Sequence, residues 1–294
     1  MKMYANLHTH STHSDGGYTP AQIARVAKEE GYGAIAITDH DTATGFPELK
    51  AECDKIGMET IFGAEFTAPS KMLEEVKGTF HIVGFHFDPE YPAMKEYLAI
   101  RGESQTNQTK VLFERGLKLG LIKDIEWDEV VEYNKGVAWL CNNHLFRVLL
   151  AKGLLTPADH GWYFREMFGK HKKEVPPLHP FKQEHEIIQL IRDAGGIALL
   201  AHPKDQLQFM EPLMEMGIEG LEVWNYYLPQ RQEAQAIRMA YDKGLYISGG
   251  SDHYGRCDGY YGNNPLLSGA YIPELSAGTY KLFFEEIRDR KLYR

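Results

Sequence analysis

The chain has 294 residues, 43% of them hydrophobic, with a formal charge of −9. That length admits one large α/β barrel or two ordinary domains with a substantial core. The charge excludes a large non-specific nucleic-acid surface but not a phosphorylated ligand held through cations, and the three dispersed cysteines, Cys53, Cys141 and Cys257, exclude a disulfide framework and a thiolate zinc site.

No apolar run is long enough to span a membrane, and the opening MKMYANLHTH lacks the apolar stretch of a signal peptide, so a cytoplasmic location is expected. In chain order, YANLHTHS reads as a short strand entering a polar loop. A helix follows, with Thr19 as N-cap, Pro20 at its first position and Gly31 as its stop. AIAIT is a buried strand ending at Asp39-His40-Asp41, and Phe46-Pro47 opens a second helix running to about Ile56. ETIFGAEFTA is a third strand, carrying Glu65, and TFHIVGFHFD a fourth, carrying His81 and His86. Residues 93–180 show helical periodicity and no convincing strand, which predicts a helical insertion ending in the stiff Val175-Pro176-Pro177 and His179-Pro180. Alternation then resumes: helix HEIIQLIRDAGG, strand IALLAH, helix LMEMG, strand GLEVWN, helix RQEAQAIRMAYDKG, strand LYISGGSDH, and a mostly helical tail from Tyr271. Strands alternating with helices predict parallel βα units with a site at the carboxyl edge of the sheet.

The thirteen histidines concentrate the chemistry at strand ends. His8 and His10, one residue apart, point to one face of an extended strand and can share a cation. Asp15, in the following Gly-containing loop, reads as an oxygen ligand or a turn residue. His40 is delivered to the rim after AIAIT, with a neighbouring carboxylate to orient its ring. Glu65 lies in an apolar strand, where a carboxylate is costly unless paired or bound to metal, and suits a bridging role. His81 heads the run IVGF and matches the entrance of a strand facing the site, whereas His86 closes it beside Asp88; a satisfied core histidine is an equal reading of either. His202 in LLAHP and Asp252-His253 in GGSDH repeat the strand-end arrangement. Taken together they predict a multinuclear centre, and mixed imidazole and carboxylate ligands suit Mn, Fe or Zn better than Mg or Ca.

LHTHSTHSDG, AITDHDT, GAEFT, FHIVGF, LLAHP and GGSDH, in this order, resemble the polymerase-and-histidinol-phosphatase (PHP) superfamily of metal-dependent phosphoesterases. The resemblance implies a distorted (β/α)7 barrel formed by residues 1–92 and 181–294, with 93–180 as an all-helical insertion. That insertion resembles the bacterial branch that hydrolyses nucleoside 3',5'-bisphosphates or trims RNA from its 5' end. It implies that His8, His10, Glu65 and Asp252 hold one metal, Glu65, His81 and His202 a second, and Asp15 and His40 a third. The family's last motif places a His two residues after the Asp; here that place is Tyr254 and the His is adjacent, at His253. The branch's Arg-x-His is here Asn142-Asn143-His144, so a phosphate-clamping guanidinium is replaced by Asn142, with Arg101, Lys204 and Arg256 as candidate replacements.

The implied reaction is hydrolysis of a phosphomonoester, most simply of a nucleotide, by water activated at two or three divalent cations, with His202 or His144 supplying the leaving group's proton. Tyr133, Trp139, Trp162 and Tyr163 are available to stack on a base. Competing readings are a phosphatase of histidinol phosphate or another small metabolite, an amidohydrolase-type deaminase or lactonase, and a non-catalytic scaffold that binds metal and nucleotide. No membrane and no stable nucleic-acid partner are expected.

Overall fold

The computed structural model describes residues 3–74, 78–169, 181–225, 228–252 and 278–294. A parallel sheet in the order β1-β2-β3 is formed by β1 (Ala5–Asn6), β2 (Ala34–Ile35) and β3 (Glu59–Thr60). Helix α1 (Pro20–Glu29) joins the first two strands and α2 (Phe46–Ile56) the next. The start of α1 is fixed by a capping box in which the Thr19 hydroxyl accepts from the Gln22 N–H and the Gln22 side chain accepts from the Thr19 N–H. Helix α2 stops at Gly57, whose φ of 65° favours glycine.

The second sheet runs β4 (Gly63–Pro69), β5 (Thr79–Phe85), β6 (Ile197–Leu200), β7 (Gly220–Asn225) and β8 (Tyr246–Gly250) in sequence order. The expectation of uniformly parallel strands is corrected here: β5 is antiparallel to both β4 and β6, and only β6-β7-β8 are parallel. The connection from Ser70 to Gly78 is too short for the crossover a parallel pair needs. The two sheets meet at their ends. The Leu7 N–H donates to the Gly249 carbonyl at 3.2 Å and the Asp252 N–H to that of His8 at 2.9 Å. The Asp41 N–H donates to the Glu65 carbonyl at 2.8 Å, so the extended chain after β2 lies against β4.

Strands β6 and β7 are buried along their whole length, which is why IALL and GLEVWN read as nearly unbroken apolar runs. Their outer side packs on α7 (Glu184–Asp193), α8 (Met210–Glu215) and α9 (Gln230–Lys243) through Ile187, Ile191, Leu213 and Ala236. A second cluster around Leu7, Val83 and Leu199 takes in Phe284 of α10 (Lys281–Asp289). Helices α3 (Pro92–Lys118), α4 (Trp127–Tyr133), α5 (Asn142–Ala151) and α6 (His160–Phe164) have an apolar cluster of their own, centred on Phe113, Leu145, Phe146 and Tyr163. Among the described residues no helix is long and apolar enough to cross a membrane.

Candidate metal centre

Glu65 on β4 is fully buried, and histidines from four other segments converge on it. Its Oε1 lies 2.9 Å from His81 Nδ1 and 3.0 Å from His202 Nε2. Its Oε2 lies 3.4, 3.2 and 3.1 Å from His8 Nε2, His10 Nε2 and His40 Nδ1. Asp252, just past β8, brings Oδ1 within 3.6 Å of His8 Nε2 and 3.1 Å of His10 Nε2. Asp15 is more distant, 3.7 Å from His10 Nδ1 and 4.0 Å from His40 Nε2. Three sets of donor atoms are compact enough to hold a cation: His8, His10, Glu65 and Asp252; His10, Asp15 and His40; and His40, Glu65 and His81. The last differs from the expected second set in containing His40, with His202 sharing an oxygen of Glu65 with His81.

Burial alone would lower the pKa of His10, but the carboxylates of Asp252 and Glu65 beside its Nε2 and the charge of Asp15 raise it to about 10. Burial likewise opposes, and the charges of Glu222, Glu65 and Asp252 overcome it, so His8 is held well above the ordinary imidazole range. His40 is pushed down to about 3 by burial and by its neighbours His10 and His81, while burial raises Asp15 to about 6. Burial would raise Glu65, yet the surrounding imidazoles hold it well below the usual carboxylate range. Glu65 Oε2, Asp252 Oδ1 and His40 Nδ1 are buried without a hydrogen bond. Such atoms are costly unless something satisfies them, and this mixed nitrogen and oxygen set fits a divalent cation. Asp41, His202 and Asp252 also take φ of 47°, 26° and 51°, conformations that non-glycine residues hold only when their surroundings impose them.

The expectation that a carboxylate beside His40 orients its ring is corrected. Asp39 instead accepts from the Ser11 N–H at 2.7 Å, the Ser11 hydroxyl at 2.6 Å and the Ser14 hydroxyl at 2.5 Å, tying down the loop that carries Asp15. Asp41 faces Arg101, whose Nε is 3.8 Å from Asp41 Oδ2. Ser11 and Ser14 carried no signal in the sequence, where Ser in a loop looks like an ordinary turn residue, and Asp39 read there only as a carboxylate flanking His40. Glu222 was also missed, although a carboxylate inside GLEVWN carries the same signal as Glu65.

A cavity of about 310 Å³ opens beside the cluster, lined by Asp15, His40 and His81 together with Arg101, Trp139 and Phe181. Asn142 lines it as well, whereas Lys204 is exposed and is not among its lining residues. His144 is not brought to the cluster. Its Nδ1 accepts from the Cys141 N–H at 3.0 Å and its Nε2–H donates to the Thr12 carbonyl at 3.0 Å, so neither nitrogen remains to serve a leaving group. Burial and the nearby Arg147 hold it well below the ordinary imidazole range. His86 turns away at a φ of 59° and donates to the Ile287 carbonyl. Of the aromatics, Tyr163 is fully buried in the helical cluster and Tyr133 is 56% exposed. His253, Tyr254 and Arg256 lie outside the described residues.

Histidines and carboxylates gathered at strand ends of an α/β fold, beside a cavity carrying a buried arginine, define the class of a metal-dependent hydrolase. Residues 6–150 match the family model described as the PHP domain, so this part of the chain carries that domain. It is 25% identical to a phosphoribosyl 1,2-cyclic phosphate 1,2-diphosphodiesterase of Eggerthella lenta, covering 86% of this chain and 95% of that one. It is 28% identical to the 5'-3' exoribonuclease Rnm of Salmonella typhimurium, covering 86% and 85%. It is 25% identical to a 3',5'-nucleoside bisphosphate phosphatase of Chromobacterium violaceum, covering 86% and 88%. A solved structure from Bifidobacterium adolescentis, classed as a metal-dependent phosphoesterase, superposes with a TM-score of 0.76 at 26% identity over 99% of this chain and 97% of that one.

Proposed function

We propose that this protein hydrolyses a phosphomonoester of a nucleotide at a divalent-metal centre built on Glu65. The observation that carries the reading is the Glu65 carboxylate itself, with His81 and His202 on one oxygen and His8, His10 and His40 about the other. His8, His10, Glu65 and Asp252 would hold one cation, Glu65, His81 and His202 a second, and Asp15 and His40 a third. The donor types favour Mn, Fe or Zn. When bound, such cations supply Lewis acidity that activates water and offsets phosphoryl charge. The protein's own residues orient the ester: Arg101 and Asn142 line the cavity and can hold its polar groups, and Trp139 and Phe181 exclude water and offer faces to a base. Of the two histidines expected to supply a proton to the leaving oxygen, only His202 has a ring nitrogen in the cluster. A ring that ligates through Nε2 cannot donate from that atom, so ligand and donor are alternative roles for His202.

The hydrogen bonds joining Leu7 to Gly249 and Asp41 to Glu65 support the reading of residues 1–92 and 181–294 as a distorted seven-stranded barrel. The separate apolar cluster around Phe146 supports 93–180 as its insertion. The substrates named for the relatives above all carry a ribose phosphate, which favours a nucleotide over histidinol phosphate.

The test is phosphate release in Mn²⁺ or Zn²⁺ from adenosine 3',5'-bisphosphate, mononucleotides, a cyclic phosphodiester, histidinol phosphate and short 5'-phosphorylated RNA. Release is expected from the nucleotides. No release from any of them by protein shown to hold metal would leave only a binding scaffold.

A further inference from the structure

Glu222 on β7 is 1% exposed and lies behind His8, on the side away from Glu65. Its Oε1 accepts a hydrogen bond from His8 Nδ1–H at 2.7 Å. Its Oε2 accepts from the backbone N–H of His202 at 2.7 Å and from Asn225 Nδ2 at 3.2 Å. One carboxylate therefore grips the ring of one candidate ligand and the backbone of another, carried on different strands. The gripped backbone is the one at φ 26°, where a non-glycine residue needs its surroundings to hold it. β7 has a register irregularity between Glu222 and Trp224, a device that re-aims a side chain.

We propose that Glu222 is a positioning residue that fixes the tautomer of His8 and the turn at His202, so that both rings present Nε2 to the centre. The inference rests on the metal-centre reading above. A neutral imidazole carries one ring proton, and a ligating nitrogen must be bare. With Nδ1–H committed to Glu222, the bare Nε2 of His8 faces His10, Glu65 and Asp252. Glu222→Gln is nearly isosteric yet turns one oxygen into an NH₂. Oε2 serves two donors and Oε1 one, so the amide oxygen stays towards His202 and Asn225 and the NH₂ faces His8. His8 must then accept at Nδ1, which moves its proton onto Nε2 and takes that atom out of ligation.

The experiment titrates Zn²⁺ into the full chain, wild type and Glu222→Gln, and reads metal affinity together with the ¹⁵N signals of the histidine rings. The zinc-loaded wild type is expected to show His8 protonated at Nδ1 and bound through Nε2. Glu222→Gln is expected to weaken the cation shared by His8, His10 and Asp252 by about 10- to 100-fold, the usual effect of losing a carboxylate behind a ligating histidine. The cation nearer His81 is expected to hold, and kcat to fall more than KM rises. A role in packing alone predicts wild-type affinity in this variant, and that result overturns the inference. So does His8 binding zinc through Nδ1 in the wild type, a measurement that stands even if the variant fails to fold. A wild type that binds no divalent metal sinks the metal-centre reading and the inference with it, whereas metal bound equally by both proteins overturns only the role of Glu222.

Discussion

His8 and His10 bring their Nε2 atoms to 3.1 Å from each other, both within reach of Glu65 and Asp252. Two bare lone pairs at that separation repel, and so do two protonated rings. A cation between them relieves both conflicts and satisfies the buried oxygens of Glu65 and Asp252. Glu65→Ala or His8→Ala is therefore expected to lower phosphate release by more than about 100-fold, beyond what loss of an outer partner costs. Bound metal, measured by elemental analysis of the same samples, should fall in parallel. Because cations bind only the folded chain, free metal at 100 times its Kd should add about 2.7 kcal/mol of stability to the wild type and much less to these variants. Release that survives either substitution would remove this cluster from the mechanism.

Arg101 is 3% exposed, and its guanidinium carbon lies 3.5 Å from the centre of the Phe181 ring. Arg101 lines the same cavity as Asp15, His40 and His81, and its charge and planar fork suit a phosphate other than the one cleaved. Arg101→Lys keeps the charge but loses the fork and the stacking. With a bisphosphate substrate, KM is expected to rise about 10-fold, equivalent to about 1.4 kcal/mol, while kcat changes little. A fall in kcat at constant KM would place Arg101 at the reacting phosphate instead.

What the sequence made legible follows from cost. A carboxylate or imidazole ending an apolar run is expensive to bury for nothing, which is why Glu65, His40, His202 and Asp252 stood out and why the structure brings them together. Direction is another matter, because a two-residue period is the same for a strand run either way, so the antiparallel course of β5 left no trace. Nor does spacing say which of two flanking carboxylates serves a histidine. Asp39 and Asp41 bracket His40 symmetrically, yet one latches Ser11 and Ser14 and the other faces Arg101. His144 looked chemical because it fills the histidine of the branch's Arg-x-His, and only its partners at both nitrogens reveal a structural role.

Glu30 ends α1 as its C-cap, where a negative charge meets the negative end of the helix dipole. Burial, with the charge of Glu29 added, raises its carboxyl from the usual 4.5 to about 8. The folded chain thus binds this proton more tightly than the unfolded chain. Stability from this group is complete below about pH 4.5 and is lost as pH rises through 8. Glu30→Gln cannot lose it. Because the side chain is only about half buried, the full shift overstates the effect, and roughly 1–2 kcal/mol is a reasonable discounted value. Thermal unfolding should show the variant level with wild type near pH 4.5 and more stable at pH 8.5; a gap independent of pH would assign the difference to something other than this titration.

Gly250 closes β8 against the chain that carries His8. A Cβ there would meet His8 N and His8 Cβ, each at 2.3 Å, and no rotamer relieves a clash with backbone. Gly250→Ala must push the end of β8 away from β1, which strains the Asp252 N–H bond to the His8 carbonyl and parts two ligands of the same cation. About 1–3 kcal/mol of destabilisation is expected from such overpacking, with metal content reduced. Gly57→Ala makes a fair control, since Gly57 sits at φ 65° with nothing within 4 Å of a new Cβ. Its left-handed backbone costs alanine about 1–2 kcal/mol, a similar loss of stability reached without touching the centre. Melting temperatures of the two variants should therefore fall together while only Gly250→Ala loses metal. Equal metal in both would mean that the approach of β8 to His8 does not set the ligand geometry.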